Sequence, residues 1–295
     1  MPAVPPGSLL LGASSLGREG VEEALPLARA LLDADVPGVA GIDTSNTYAQ
    51  GRSEQALGRA VAERGGTTGI PIMTKVDADP LTGRFDGDRV RRSVQESLDR
   101  LGVDHLPLLH LHDPHGITME EALAPDGPVA ALVRLRDEGV VDAIGVATGP
   151  PELVHAYVRT GRFDAVLSHN GLTLVDRSAV PALEDARARG MTVLNAAPFG
   201  GGILAGSPSH RDTYAYRPAE PGLVERVARL DAACRRHGVP LAAAALAFSR
   251  RHPLVDATVV GISSLERLEQ LRDLVSTEVP ADLLDELIEL GVSAR

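Results

Sequence analysis

Short runs of apolar residues alternate along the chain with longer segments in which apolar residues recur every three or four positions. The short runs predict eight β-strands, at 9–11, 39–43, 70–75, 106–112, 142–147, 164–168, 192–196 and 257–260. Amphipathic segments typical of α-helices follow them, and two such segments follow the seventh run. Repeated strand–helix units predict a parallel sheet covered by helices. Eight units within about 250 residues fit a closed (β/α)8 TIM barrel; the alternative is an open, doubly wound sheet.

Two segments depart from this alternation. Residues 198–222 are rich in Pro and Gly, and no helix or strand pattern crosses all of them. A loop of this length after the seventh strand of a compact domain is usually a lid or a binding loop. A last helix at about 280–290 is expected to cover one end of the barrel. Because no linker or low-complexity stretch divides the chain, residues 1–295 are predicted to form a single domain.

Charge and composition narrow the classes of partner. The formal net charge of −11 argues against a nucleic-acid partner, because phosphate contacts need clustered Lys and Arg. The single cysteine, Cys234, excludes internal disulfides and cysteine-based zinc sites. The N-terminal residues lack the pattern of a secretory signal, and the longest apolar run, 241–248, is too short to span a bilayer. We therefore expect a soluble, cytoplasmic protein without a membrane segment, either a monomer or a small homo-oligomer.

Four ionisable residues lie at the ends of early strands or just beyond them. Asp43, Lys75 and His112 each follow an apolar run and precede a loop, and Tyr48 is five residues beyond Asp43. Active sites of such barrels gather at the carboxyl ends of the strands, so the four side chains are predicted to meet at one mouth. His110 is two residues earlier on the same face of its strand and therefore deeper, which favours His112 as the histidine that takes part in chemistry.

These side chains can move a proton at neutral pH. A free Tyr has a pKa near 10, and a neighbouring ammonium lowers it. Lys75 is predicted to supply that charge, with Asp43 holding Lys75 in place and His112 donating a hydrogen bond to a substrate carbonyl oxygen. A hydride has to come from a bound cofactor, because no side chain can deliver one.

The motifs around these residues resemble the aldo-keto reductase family. DTSNTYAQGRSEQALGRAV is similar to its Asp–Tyr segment, MTKV to its Lys strand and LDRLGVDHLPLLHLHDP to its His strand. The similarity continues through VLNAAPFGGGILAG to VVGISSLERLEQ, and so covers nearly the whole chain. It implies a (β/α)8 barrel and an NAD(P)-dependent carbonyl reductase or alcohol dehydrogenase, with Tyr48 as general acid/base and Asp43, Lys75 and His112 completing a tetrad. HDP and NAAPFGGGILAG are most similar to the bacterial sugar 1-dehydrogenase branch, which includes L-fucose, D-threo-aldose and L-galactose dehydrogenases and a pyridoxal dehydrogenase.

The resemblance also implies which residues contact the cofactor, NADP or NAD. Gly261 stands where many NADP-dependent members carry a Lys, whereas Arg267 is kept, which favours NAD or the use of both cofactors. Ala196 stands where many members stack a Tyr on the nicotinamide, so the stacking partner is open between Phe199, Tyr214 and Tyr216. Ala147 and Thr148 replace a Ser–Asn pair after the fifth strand. The implied cofactor contacts are Thr148, Ser168, Asn170, Pro198, Phe199, Gly201, Gly202, Ser263 and Arg267.

The chain has no Trp, four Phe and four Tyr, too few for a large aromatic pocket. A small carbonyl compound or a sugar is therefore the expected substrate, and Tyr214 and Tyr216 either contact it or pack the long loop onto the barrel. Two other functions stay open. HLHDPH at 110–115 contains a His-x-His pair of the kind found in barrel metallohydrolases, although no metal is expected here. The second is a non-catalytic NAD(P)-binding sensor on the same scaffold.

Overall fold

Eight parallel strands close into a barrel in the computed structural model, which describes residues 4–206 and 210–291. The barrel strands are β1 (Ser8–Gly12), β2 (Val39–Asp43), β3 (Ile72–Val76), β4 (Leu109–His112), β5 (Ile144–Thr148), β6 (Ala165–His169), β7 (Thr192–Ala196) and β10 (Ala257–Gly261). Their order around the barrel is β1-β10-β7-β6-β5-β4-β3-β2, and β1 closes it by pairing with both β10 and β2. The predicted (β/α)8 barrel is thereby confirmed over the open sheet.

Helices cover the outside of the barrel at the positions that the amphipathic segments predict. The α-helices of the described residues are α1 (Val21–Leu32), α2 (Arg52–Glu63), α3 (Gly87–Leu101), α4 (Met119–Leu123), α5 (Pro128–Asp137), α6 (Pro151–Arg159), α7 (Val180–Ala188), α8 (Pro221–Arg236), α9 (Leu241–Arg251), α10 (Leu265–Ser276) and α11 (Ala281–Gly291). α4 is an addition to the predicted set. It begins with a capping box, in which the Thr118 hydroxyl accepts from the Glu121 N–H and the Glu121 carboxylate accepts from the Thr118 N–H.

The core has two layers because side chains alternate across each strand. In β1, Leu10 belongs to a small cluster inside the barrel, whereas Leu9 and Leu11 belong to the large cluster between strands and helices. The inner cluster also contains Met73, Leu108, Ala147, Leu167, Leu194 and Val259. On β2, β3 and β4 the inward-facing series continues to Asp43, Lys75 and His112, so the barrel interior changes from apolar to ionisable at its carboxyl end.

The long loop after β7 contains two short structured elements. A 3₁₀ segment spans Gly200–Ala205, and an antiparallel hairpin pairs β8 (Thr213–Tyr214) with β9 (Arg217–Pro218). The Tyr214 hydroxyl donates to the Asn170 carbonyl oxygen at 2.5 Å, and a Cβ added at Gly200 would overlap the Tyr214 ring. Of the two roles predicted for Tyr214, the structure therefore supports packing of the loop. No helix within 4–206 or 210–291 is long and apolar enough to cross a membrane.

Candidate active site

Lys75 is the centre of a buried cluster at the mouth of the barrel. Its ammonium lies 2.7 Å from Asp43 Oδ2, 2.6 Å from the Thr44 carbonyl oxygen and 3.2 Å from the Tyr48 hydroxyl. The Lys75 side chain is 2% exposed and that of Asp43 is 6% exposed, so water hardly screens the pair. Strand alternation on β2 and β3 aims both side chains inward, and the pairing of the two strands brings them together.

Tyr48 reaches the mouth because the chain turns sharply after β2. Tyr48–Gly51 form a 3₁₀ turn in which Ala49 and Gln50 have φ of 50° and 61°, left-handed values that non-glycine residues seldom adopt. This turn folds the half-buried phenol back over the barrel end, where the Lys75 ammonium lies 4.6 Å from the ring centroid. The ring also meets the His112 ring edge to face, with centroids 5.6 Å apart. A turn of this shape has no clear signal in the residues Ala49 and Gln50.

The direction in which the pKa of Tyr48 is shifted differs from the one that the sequence predicts. Burial raises the pKa of the Tyr48 phenol and outweighs the lowering by Lys75, so the net pKa of Tyr48 is above its ordinary value. Burial lowers the pKa of Lys75, but Asp43 and Tyr48 together outweigh burial, and the pKa of Lys75 is raised. Lys75 lowers the pKa of Tyr48 as predicted, but the predicted net lowering of that pKa is wrong for the free protein. The free protein therefore holds a neutral phenol beside a charged ammonium.

His112 is held by Asp77, which the sequence had not singled out. His112 Nδ1 lies 2.6 Å from Asp77 Oδ1 and 3.0 Å from the Ser45 hydroxyl. The Ser45 hydroxyl donates to Asp77 Oδ2 at 2.5 Å, and the Thr47 N–H donates to the same oxygen at 3.2 Å. A carboxylate next to the ring nitrogen of a histidine fixes the orientation of the imidazole. Asp77 follows the Lys strand directly, and the only signal for it was its place at that strand end.

A second carboxylate lies on the other side of His112. Asp113 Oδ2 is 3.7 Å from His112 Nε2, and Asp113 Oδ1 is 3.2 Å from His115 Nε2 and 3.6 Å from His169 Nε2. Burial raises the pKa of Asp113, but the three histidines outweigh it and lower the pKa to about 2. Asp113 has a φ of 40°, a backbone conformation that Asp tolerates better than most residues. The mouth is therefore lined by polar groups on this side, a feature that the sequence analysis missed.

His110 lies deeper, as predicted. It is fully buried, and neither ring nitrogen has a hydrogen-bond partner among the described residues. Burial lowers the pKa of His110 well below its ordinary value, so the ring is neutral. Its neighbour Gly145 gives it space, because a Cβ at that position would be 2.8 Å from His110 Nε2. In the part of the chain that the structure describes, no group of three or more His, Cys, Asp or Glu side chains could hold a metal ion.

The residues at the ends of β5 and β6 that were expected to contact the cofactor do not all face the mouth of the barrel. Thr148 and Ser168 are partners in the β5–β6 register, and both hydroxyls are buried without a hydrogen-bond partner in the described structure. Because the preceding residues, Ala147 and Leu167, face the inner cluster, alternation puts Thr148 and Ser168 on the helix side of the strands. Asn170 is closer to the mouth: its amide nitrogen lies 3.1 Å from His169 Nδ1, and its buried amide oxygen has no partner within the described residues.

The remaining expected contacts lie in two loops at the same end of the barrel. Pro198 is buried and Phe199 half-buried, and both precede the 3₁₀ segment, in which Gly201 and Gly202 have φ of 77° and 121°. Ser263 and Arg267 are exposed at the start of α10, where Ser264 is the N-cap and accepts from the Arg267 N–H. A groove of about 460 Å³ runs between this helix start and the β1–α1 loop, and Ser263 and Ser264 line it.

A comparison with known protein families matches residues 8–291 to the aldo/keto reductase family. The chain belongs to this family. A D-threo-aldose 1-dehydrogenase from a Pseudomonas species is 37% identical over 70% of this chain, a match that spans 62% of the relative's own length. A pyridoxal 4-dehydrogenase from Microbacterium luteolum is 30% identical over 89% of this chain and 87% of its own, and an L-galactose dehydrogenase from Arabidopsis thaliana is 29% identical over 79% and 72%. The family and branch suggested by the motifs are thereby confirmed.

A solved structure carries the same fold. The holo form of an aldo-keto reductase from Bacillus halodurans superposes with a TM-score of 0.78, covers 98% of this chain and 93% of its own, and is 22% identical. Aldo-keto reductases use NAD(P)H, and the family match and the pyridoxal 4-dehydrogenase match make this chain an NAD(P)-dependent oxidoreductase of that family. Three features of the mouth fit such a cofactor: the buried amide oxygen of Asn170, which has no partner among the described residues, the exposed first turn of α10 and the Gly-rich turn after β7.

Proposed function

We propose that this aldo-keto reductase transfers a hydride between the nicotinamide of NAD(P) and the carbonyl or carbinol carbon of an aldose or small aldehyde, with Tyr48 as general acid/base. The observation that carries the proposal is the contact of the Tyr48 hydroxyl with the Lys75 ammonium at 3.2 Å, beside the His112 ring. A titratable hydroxyl, a fixed cation and an imidazole at one mouth are the groups that proton transfer to a carbonyl oxygen requires.

The side chains divide the work. In reduction Tyr48 gives its proton to the substrate oxygen, and in oxidation the phenolate takes a proton from the substrate hydroxyl. Lys75 stabilises the phenolate, since its ammonium lies against both the hydroxyl and the ring. Asp43 keeps Lys75 charged and in place. His112 orients the substrate oxygen. The bound nicotinamide supplies or accepts the hydride.

The lining of the mouth favours a small polar substrate. Asp113, His115 and His169 present hydrogen-bonding groups next to His112, and the chain has no Trp and only four Phe and four Tyr. Hydroxyl groups of an aldose can use such partners, whereas a bulky apolar substrate would leave them without hydrogen bonds. Two of the relatives are dehydrogenases of D-threo-aldose and L-galactose, which agrees with this choice.

The cofactor preference that we propose is NAD, or NAD and NADP alike. Gly261, at the end of β10, is exposed and has no side chain to contact a 2′-phosphate, which leaves Arg267 as the cation expected there. Arg267 Nη1 donates to the Gln270 side chain at 2.6 Å and is exposed, so it is available to turn toward an anion. A single cation binds a phosphate less tightly than a Lys–Arg pair.

The proposal is tested by the absorbance of reduced nicotinamide. The purified protein is mixed with NAD⁺ or NADP⁺ and a panel of aldoses, and with NADH or NADPH and a panel of small aldehydes. We expect turnover of at least one aldose or aldehyde, with kcat/KM for NAD at least equal to that for NADP. Cofactor binding without turnover of any panel member would instead favour a non-catalytic NAD(P)-binding sensor.

A further inference from the structure

Asp77 binds the Nδ1 side of His112. We propose that Asp77 is a positioning residue, which fixes a proton on His112 Nδ1 and so leaves Nε2 as the only ring nitrogen available to the substrate oxygen. The part of this inference that concerns the substrate rests on the proposed function. The part that concerns the proton can be tested without any substrate.

The contacts of Asp77 make a closed set. Its carboxylate meets His112 Nδ1 at 2.6 Å, the Ser45 hydroxyl at 2.5 Å and the Thr47 N–H at 3.2 Å, and the residue is 7% exposed. Its main chain is held as well, since its N–H donates to the Ser93 hydroxyl and its carbonyl oxygen accepts from Arg89 Nε. Asp77 is therefore fixed by the loop after β2 and by α3, and cannot easily turn away from the imidazole.

The donors and acceptors around Nδ1 decide which ring nitrogen of His112 carries the proton. The Ser45 hydroxyl has one hydrogen, and its contact with Asp77 at 2.5 Å uses it, because an ionised carboxylate can only accept. The contact between His112 Nδ1 and Asp77 Oδ1 at 2.6 Å then needs a hydrogen from the ring. A bare Nδ1 would face the lone pairs of Ser45 and Asp77 together, which is repulsive. Nδ1 therefore carries the proton.

The assignment of the proton to Nδ1 requires an ionised Asp77, and the surroundings of Asp77 keep it ionised. Burial raises the pKa of the carboxyl, but His112, Ser45 and Thr47 outweigh burial, and the pKa of Asp77 is below its ordinary value. At neutral pH the group is a carboxylate. The other titratable groups around His112 are Tyr48 from the turn after β2, Lys75 from β3, and His110 and Asp113 from its own segment.

A proton fixed on Nδ1 gives Nε2 two states with different uses. In the neutral ring Nε2 is an acceptor, and it can receive a hydrogen bond from a substrate hydroxyl other than the one whose proton Tyr48 takes. In the imidazolium Nε2 is a donor, and it can bind the carbonyl oxygen during reduction, the role that the sequence predicts for His112. Asp77 holds the ring so that both states present the same nitrogen.

Nuclear magnetic resonance of ¹⁵N-histidine tests the assignment in the free protein. Long-range ¹H–¹⁵N correlations distinguish a protonated from a bare ring nitrogen, and the His112→Gln variant identifies the His112 signals among the nine histidines. We expect the neutral His112 ring to be protonated on Nδ1 and bare on Nε2. In Asp77→Asn we expect a mixture of the two tautomers, because an amide can donate to the ring nitrogen as well as accept from it.

Kinetics of Asp77→Asn give the second readout, with Asp79→Asn as the matched control, since the half-buried Asp79 carboxylate accepts hydrogen bonds from Leu81 and Thr82 of its own turn. We expect kcat of Asp77→Asn to fall roughly 10–100-fold through loss of orientation, with cofactor Kd within about twofold of wild type and Asp79→Asn unchanged. A His112 proton on Nε2 in the wild type, or an unchanged Nδ1–H tautomer population in Asp77→Asn, would overturn the inference. Because the spectra need no turnover, an enzyme inactive on every aldose would count against the proposed function and leave this test intact.

Discussion

At the scale of single residues, the site depends on the balance between burial and one cation. Burial alone raises the pKa of the Tyr48 phenol and makes it a poorer proton donor, and Lys75 opposes this effect from 3.2 Å. In the free protein the effect of burial is the larger, and the hydroxyl is a protonated phenol. Lys75 itself stays charged because Asp43 and Tyr48 together compensate its burial. The three groups therefore form one electrostatic unit, in which the removal of one charge leaves another buried without a partner.

Substitution of Lys75 tests this unit through stability. Lys75→Met leaves the Asp43 carboxylate buried without its cation, and we expect the free energy of unfolding to fall by about 3–5 kcal/mol. The double variant Lys75→Met/Asp43→Asn removes the second charge as well and should recover at least half of that loss without recovering activity. Urea unfolding measures both variants.

The matched control for that experiment is an ion pair on the surface. Arg29 and Glu63 pair through two hydrogen bonds, but their side chains are 50% and 38% exposed. Arg29→Met should therefore change the free energy of unfolding far less than Lys75→Met does. Equal losses for the two variants, or no recovery in the double variant, would mean that the buried pair is not an electrostatic unit.

At the scale of elements, the close packing of α2 on α3 places the turn that carries Tyr48. α2 begins directly after that turn, and its Gly58 lies so close to the end of α3 that a Cβ would overlap the Arg100 carbonyl oxygen. Glu54, on the same helix, accepts from the Thr74 hydroxyl at 2.6 Å and from Arg100 Nη1 at 3.2 Å. The helix is thus tied to β3 and to α3, on either side of the Tyr48 turn.

Gly58→Ala tests the role of this contact. Although Ala is the better helix former, overlap with a backbone oxygen should lower the free energy of unfolding by about 1–3 kcal/mol. The control is Gly222→Ala in α8, where a Cβ meets nothing within 4 Å and the same exchange should leave stability equal or higher. Thermal unfolding compares the two, and a Gly58→Ala variant as stable as wild type would contradict the packing.

Element positions were predictable to the extent that periodicity specifies them. All eight barrel strands and the ten predicted helices are present, because a strand buried on both faces reads as an apolar run and a covering helix as an amphipathic segment. α4, of five residues, was missed because it is too short to show a period, although its Thr118–Glu121 pair is a capping signal. The β8–β9 hairpin was missed because strands of two residues have no alternation to detect.

At the scale of the whole molecule, barrel closure makes the site from distant parts of the chain. The mouth collects residues from β2, β3, β4 and β6 and from the turns after them, an arrangement that the order of strand–helix units already implied. The sequence therefore identified the strand-end residues Asp43, Lys75 and His112. It could not identify Asp77 or Ser45 as partners of His112, because those contacts depend on loop paths. The direction of the net pKa shift of Tyr48 could not be predicted from the sequence either, because the burial of the phenol is a property of the folded chain.

Removal of the Tyr48 hydroxyl shows whether this group exchanges the proton with the substrate. Tyr48→Phe is compared with Tyr157→Phe, which removes a hydroxyl that has no partner among the described residues and lies in α6. Turnover of the best substrate is followed by reduced-nicotinamide absorbance, and cofactor Kd by fluorescence titration. We predict that Tyr48→Phe loses about 10²–10⁴-fold in kcat with cofactor Kd nearly unchanged, while Tyr157→Phe keeps its activity. Wild-type turnover in Tyr48→Phe would contradict the account.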